Sequence, residues 1–364
     1  MIKILDWYIF KRFISTFFFI LGIFCIVILV IDVSEKIDDF LHFRPPLTAL
    51  LFDYYLNFIF FFGNLISPIC VFLAVIFFTS RLAQNTEITA ILASGVNFYR
   101  LMMPYVFAAL LLTGMIFYLK AYLVPKADVA MKEFENTYLG KERPMKDLNI
   151  HRKVATNKEE GSETYVYFFS YNQLIHEGYI FYMEKIMNGD IVNKISCEKI
   201  NWDKENERWT LSNCIIRELT MTTEKLTVRA RIDTTFLLKP TDINVKDIRP
   251  ESMNLEELND YIKLEQERGS DILSELTLEK YRRYAYPFAA LVLTIIGFSV
   301  STKKQRGGTA LLLGLGLIIS FVFVVLVVVG ETLFGESIPA WLRVWYPNIT
   351  FFLIGIVLLR LAPK

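Results

Sequence analysis

The sequence predicts an α-helical membrane protein with six transmembrane helices, three on each side of an inserted extracytoplasmic β domain. Three observations carry that reading. Hydrophobic residues make up 54% of the 364 positions and aromatic residues 15%. The mean hydropathy of +0.38 is too high for a soluble chain of this length, and the apolar residues come in membrane-length blocks. Between the third and fourth blocks lies a polar stretch, 126–280, with no such block but with short segments rich in β-branched and aromatic residues. Basic residues collect at alternate loops, as the positive-inside bias requires. The net charge of +1 gives no reason to expect a nucleic-acid partner. The three histidines are scattered and no CxxC occurs, so no metal site is expected.

The first membrane half is 1–125, with spans over about 13–32, 54–78 and 101–124. Lys3, Lys11 and Arg12, mixed with Trp7 and Tyr8, are the anchors of a cytoplasmic interface. The first apolar run is too long for a signal-peptide core and no small-x-small site follows it before Asp32. It is therefore a retained helix, N-terminus inside. Its far end, from Asp32 to Asp39, lacks a positive excess and belongs outside. Pro45-Pro46 breaks the chain. In the second span Gly63, Asn64, Ser67 and Pro68 predict a kink whose freed carbonyl is satisfied by a neighbouring helix or a Ser/Thr side chain. The third span ends at Pro125, with Lys120 snorkelling near its outer end.

Between the second and third spans, Arg81 to Arg100 is a short polar interruption with the parts of a small helix. Asn85 or Thr86 can cap it, Glu87 sits in the first turn where the helix dipole favours an anion, and Gly95 can serve as the left-handed stop after Ser94. Ile88, Ile91 and Leu92 share one face. Flanking arginines put it on the cytoplasmic side. Joined rigidly to two spans, such a helix can dock into a partner and carry a push in either direction; it reads equally as an ordinary loop helix on the membrane surface.

The polar stretch opens with a helical segment that continues the third span into water. Strand-like runs follow at Tyr165–Ser170, Tyr179–Glu184, Val192–Trp202, Trp209–Leu219 and Leu226–Leu238, separated by turn residues. They suggest an antiparallel sandwich or jelly roll of about 100 residues. If Trp202 pairs with Trp209 across the DKENER turn, antiparallel register puts Cys197 directly opposite Cys214. Such a pair is close enough for a disulfide, which an oxidising compartment would preserve. The alternative is two free buried cysteines, and a single bulge would separate them. A helix over Asn254–Arg268 ends at Gly269.

The second membrane half is 281–364, with spans over about 284–301, 309–330 and 346–361. Pro287 opens the fourth span and Pro347 the last. The cluster Lys303-Lys304-Gln305-Arg306 marks a cytoplasmic loop, and Arg360 ends the last span inside. Gly316 and Ser320 stand at small-xxx-small spacing, suited to close helix contact. No GxxxxGK[ST], HExxH or GxSxG occurs, and the spans are almost free of ionisable groups. No catalytic residue, metal or cofactor is expected. A non-transport scaffold or receptor presenting a β domain to an extracytoplasmic partner is the alternative to a transport role.

Essentially the full length resembles the permease subunits of the lipopolysaccharide exporter, the LptF/LptG family. The resemblance rests on the order of several pieces. They are the start Leu5-Asp6-Trp7-Tyr8-Ile9, the stretch Glu87-Ile88-Thr89 with Ala93-Ser94-Gly95, the strand pair around Trp202 and Trp209, the segment Met253–Gly269, the Pro287 span, and the ending Ile338-Pro339-Ala340-Trp341 … Tyr346-Pro347-Asn348. The start and ending are closer to LptG than to LptF. The resemblance implies a β-jelly-roll domain in the periplasm, both termini in the cytoplasm of a bacterial inner-membrane protein, and a second, LptF-type permease subunit. It also implies a cytosolic ABC ATPase dimer, an LptC-like periplasmic bridge component, and lipopolysaccharide as cargo. Glu87, Ile88, Ile91, Leu92, Ser94 and Gly95 would contact the ATPase. Phe17, Ile20, Phe24 and Ile31 of the first span and Gly316 and Ser320 of the fifth would line lateral gates formed with the partner permease. LptG-type chains place several basic residues at the outer end of the first span, whereas Lys36 here stands among Asp32, Glu35, Asp38 and Asp39. Either the headgroup differs in charge, or Lys120, Lys126 and Arg343 share its binding with Lys36, or a divalent ion bridges acid to phosphate; simply solvated acids are the plainest alternative.

Overall fold

The computed structural model describes residues 4–140, 150–157, 162–172, 176–187, 190–204, 208–219, 223–234, 249–268, 272–303, 308–332 and 338–361. Two compact units result: a helical unit of Met1–Lys141, Pro250–Leu258 and Ser274–Lys364, and a sheet unit of Glu142–Arg249 and Asn259–Leu273. Residues 126–140, 250–258 and 274–280, expected with the β domain, group with the helices. Polar composition reports what leaves the bilayer, not what packs together.

Among the described residues, six helices are long and apolar enough to cross a membrane. They are α1 (Ile4–Phe43), α2 (Leu47–Gln84), α4 (Phe98–Tyr138), α6 (Leu273–Ser301), α7 (Gly308–Thr332) and α8 (Ala340–Leu361). Two shorter α-helices are also described, α3 (Glu87–Ala93) and α5 (Leu255–Arg268). Every span is longer than its apolar run, because a helix ends where its backbone loses partners rather than where hydropathy falls. The continuation of the third span is borne out: α4 passes through a π-helical turn at Leu119–Leu123 and through Pro125 to Tyr138. Two expected starts are corrected, since Pro287 and Pro347 lie inside α6 and α8 rather than opening them. Within a bundle, side chains of neighbouring helices satisfy backbone freed by proline, so proline loses its value as a boundary mark. Near Pro287, Asn348 donates to the Ala285 carbonyl at 2.7 Å. At Pro68 of α2, Ser67 donates to the Gly63 carbonyl at 2.6 Å and Tyr286 donates to that of Leu65.

α2 is the central helix. Its Cys70, Val71, Ala74, Val75 and Phe78 pack with Ile9, Phe13 and Phe17 of α1 and with Leu101, Tyr105 and Leu112 of α4. Its Phe72 and Ile76 pack on the other side with Leu293 and Ile296 of α6, Leu312 and Phe323 of α7 and Phe351 of α8. Close approach has chemical conditions at two glycines. A Cβ on Gly316 would stand 2.6 Å from Ile76 Cδ1, and one on Gly330 would stand 2.6 Å from the Arg343 backbone oxygen.

In the sheet unit the described strands form one six-stranded antiparallel sheet in sequence order. They are β1 (Ile150–Asn157), β2 (Ser162–Asn172), β3 (Glu177–Met187), β4 (Asp190–Asp203), β5 (Arg208–Leu219) and β6 (Glu224–Thr234). The inserted β domain is borne out, with β1 added to the five expected runs; among the described residues every pairing joins sequence neighbours. Residues 235–238, expected as the end of the last strand, and Gly269, expected as a helix stop, lie outside the described residues. The β4–β5 register pairs Trp202 with Trp209 and Cys197 with Cys214, and the two cysteines form a disulfide with Cα atoms 4.2 Å apart. The feared bulge does not intervene, because Glu198 and Asn213 interrupt the ladder opposite each other and both strands keep step. Ile180 and Asn213 take left-handed φ angles of 52° and 53° at the positions where neighbouring ladders also lapse. Irregularities aligned across strands bend a sheet. One face buries Val166, Phe181, Ile200, Trp209 and Leu211 around the disulfide. α5 begins with a reciprocal cap: Asn254 Oδ1 accepts from the Glu256 and Glu257 amides, and Glu257 accepts from the Asn254 amide, all at 2.9 Å.

Candidate functional site

Three features of the helical unit gather the residues singled out by sequence. The first is α3. Thr86 stands at its N-cap with a left-handed φ of 63° and makes no side-chain cap bond; Asn85 instead donates to Glu87 Oε1 at 3.1 Å. Gly95, with φ +87°, stops the helix as expected, its amide donating to the Leu92 carbonyl at 3.0 Å. The apolar face does not point away from the chain. Ile88 is buried in the bundle core, and Ile91 and Leu92 pack against that core. Ile88, expected on the face offered to a partner, thus packs within its own chain: a seven-residue helix cannot hold itself in place, so its apolar face is used to anchor it. Thr89, Ala90, Ala93 and Ser94 form the exposed face, with Glu87 at its edge. Beside them runs an open groove of about 750 Å³ lined by Thr89, Leu92, Ala93, Asn97, Thr302 and Lys303 among others. Asp6 and Arg100, 2.5 Å apart, tie α1 to the start of α4 at the same end. Sequence reading missed the part of Thr302 and Lys303 in this groove, because no local pattern links the end of α6 to α3.

The second feature is a pair of free apolar faces. In α1, Ile9, Phe13 and Phe17 recur every fourth residue and are buried; Ile20 and Phe24 lean on the same core. Phe17, expected to line a gate, packs inside its own chain. The open face carries Phe19, Ile23, Ile26 and Val30, with Ile31 beside them. In α7, Gly316 and Ser320, also expected at a gate, face inward, where Gly316 admits Ile76 and Leu73 of α2. Small residues serve close contact wherever it occurs, and here it occurs within the chain. The open face of α7 carries Leu311, Leu315, Ile318, Val322 and Val325 at helical spacing. In their most apolar windows α1 and α7 are 6% and 22% buried, against 33–67% for the other four spans.

The third feature is the set of cations at the end of the bundle away from α3. Lys36 donates to Tyr54 and lies 3.1 Å from Asp32 and 2.9 Å from Glu135, so α1, α2 and α4 meet in one polar knot. Lys120 lies 3.8 Å from Glu279. Lys126 is exposed. Arg343 is buried and donates to the Glu331 backbone oxygen. The four expected headgroup cations are not gathered into one site by direct contact. Arg282 and Arg283 of α6, which sequence reading left unused, share Glu279 with Lys120. The Arg-Arg dipeptide five residues before Pro287 was the available signal. Among the described residues no cluster of His, Cys, Asp and Glu could hold a metal ion.

Six spans, five of them packed around the central α2 and two of those five with free apolar faces, and a β unit inserted between the third and fourth define a multi-pass membrane protein. The family of lipopolysaccharide export system permeases LptF/LptG matches residues 7–361, and the chain belongs to that family. No individual curated protein matches it.

Proposed function

We propose that this chain is one transmembrane subunit of an ABC-type exporter that extracts lipopolysaccharide from the inner membrane and passes it to a periplasmic bridge. The observation that carries the reading is the contrast in burial: α1 and α7 are the spans left most open, each with a continuous apolar face. Such faces suit a lateral gate, α1 meeting the fifth span of a second permease and α7 meeting its first. The LptG-like start and ending favour the LptG role, with an LptF-type chain as partner.

A cytosolic ABC ATPase dimer would grip the exposed side of α3, through Glu87, Thr89, Ala90 and Ser94, and the adjoining groove. ATP hydrolysis belongs to that partner. The division at about 125 and 280 then follows the bilayer: 1–125 and 281–364 carry the spans, and 126–280 is the part outside. The Cys197–Cys214 bridge supports a periplasmic sheet and cytoplasmic termini, since disulfides persist in oxidising compartments. The sheet would hand lipid to an LptC-like bridge component.

Cysteine crosslinking tests the gate. Ile26→Cys or Val30→Cys, paired with cysteines on the partner's fifth span, crosslinks and blocks export until reduced, whereas Phe17→Cys does not crosslink. Absence of a crosslink at every outer-half position of the free face overturns the gate.

A further inference from the structure

α1 is held at its two ends and open between them. At its outer end Asp32 and Lys36 enter the knot with Tyr54 and Glu135. At its inner end three contacts with α4 follow one another along the two helices. They are Asp6 with Arg100, Phe10 with Phe107 at a ring separation of 5.8 Å, and Phe13 with Tyr105 at 5.7 Å. The most apolar stretch of α1 is 6% buried, the least of the six spans. A stiff element mounted in this way carries a displacement of its inner end to its open middle.

The inner contacts lie against α3. Ile88 of α3 is buried in the cluster that holds Ile9 and Phe13 of α1 and Phe98 and Leu101 of α4, and Leu5 packs against the same cluster. Arg100 follows α3 closely, after the short link from Gly95 to Asn97. Its placement runs against local preference. Asn97 caps α4, its side chain accepting from the Tyr99 amide at 2.9 Å, so Arg100 lies in the first turn, where the helix dipole disfavours a cation. Asp6 lies in the first turn of α1, where an anion is favoured. With side-chain exposures of 40% and 15%, the pair adds little to stability. What it fixes is register. Ring contacts such as Phe10 on Phe107 tolerate sliding, whereas an ion pair 2.5 Å across holds one point of α1 to one point of α4.

We propose that the Asp6–Arg100 pair is the positioning contact through which movement of α3 reaches α1, turning a force on the short helix into displacement of the open apolar face of α1. Asp6 and Arg100 are positioning residues, acting through the helices that they join. Removing the charges leaves Ile88 anchored and the ring contacts in place, so the chain folds and docks as before while α1 no longer follows α3. This proposal rests on the permease reading and adds the link between its docking helix and its gate.

The test uses the whole complex, the chain purified with its ATPase and partner permease and reconstituted in vesicles. ATP hydrolysis, lipopolysaccharide export and melting are measured together. Movement of α1 is read from nitroxide labels at Ile26→Cys on α1 and Leu353→Cys on α8, both exposed, with Cys25 and Cys70 replaced by Ala. The signal is the change in label distance between the nucleotide-free and vanadate-trapped states. Arg100→Gln and Asp6→Asn are expected to keep hydrolysis and melting near wild type, to lower export per ATP hydrolysed severalfold, and to abolish the distance change. The exchange of Asp6→Arg with Arg100→Asp is expected to restore most of both. Hydrolysis and export that fall together in the single variants show a merely structural role and overturn the proposal, as does an undiminished distance change. Should the single variants fail to assemble, the exchanged pair decides: export and distance change near wild type support the link, and their loss overturns it. A wild-type complex that lacks an ATPase, or hydrolyses ATP without export, refutes the permease reading and the link with it. A wild-type complex that exports, with single variants that export equally per ATP, refutes the link alone.

Discussion

Reducing the Cys197–Cys214 bond breaks one covalent link and removes no side chain, which makes its cost calculable. The two residues are 17 positions apart and directly paired in the ladder. Closing a loop of that length in the unfolded chain is worth roughly 3 kcal/mol in the chain-entropy account. With a urea dependence of about 2 kcal/mol per molar for a domain of this size, reduction should lower the midpoint of sheet unfolding by about 1.5 M. Trp202 and Trp209, whose ring centroids are 5.0 Å apart at this hairpin, report the transition once Trp7, Trp341 and Trp345 are replaced by Phe. The measurement is urea unfolding of the full chain in detergent, with and without reductant, preceded by a thiol count on denatured protein. Two reactive thiols without reductant, Cys25 and Cys70, are expected, and four with it. Four thiols without reductant refute the bridge. Two thiols with a midpoint that hardly moves refute the entropy argument, and would mean that the hairpin stays closed in the denatured chain.

Gly330→Ala should lower the melting temperature of the helical unit, at a cost of about 1–3 kcal/mol, because the new Cβ would meet the Arg343 backbone oxygen at 2.6 Å and backbone cannot step aside cheaply. Gly316→Ala meets only the tip of Ile76 and should cost less; equal losses would show that α7 and α8 do not pack as described. Lys36→Met leaves Asp32 and Glu135 facing Tyr54 without their cation and should destabilise by about 1–2 kcal/mol in thermal melts, discounted for partial exposure, with part of the loss restored by Glu135→Gln. Glu87→Lys should cut export while the chain stays inserted and folded, since among the described residues Glu87 bonds Asn85 at the surface; normal export by this variant in whole cells counts against docking at α3.

The apolar runs, the basic loops and the alternating strands are local signals, each written within a stretch short enough to read. The same holds for α3, whose first-turn acid and terminal glycine mark both ends, and for the β4–β5 hairpin. There a polar turn between two tryptophans was enough to place Cys197 opposite Cys214. Pro287 and Pro347 misled because a proline that starts a helix and one that a bundle accommodates look alike in sequence. The gate and coupling residues were harder. Phe17 and Phe19 differ by two positions and not at all in chemistry, yet one is fully buried and the other is 65% exposed.

By itself the sequence determined which segments enter the bilayer, which segment is a sheet, and in what order they come. Hydropathy, charge bias and period are properties of single segments, and burial of backbone polar groups leaves few alternatives once those are given. Tertiary structure alone decided which face of each span is open and which side of α3 is free. It also brought Arg282, Glu331 and Arg343 together from α6, α7 and α8. In a membrane span nearly every face is apolar, so hydropathy cannot say which one meets a neighbour; shape complementarity between helices far apart in the chain makes that choice.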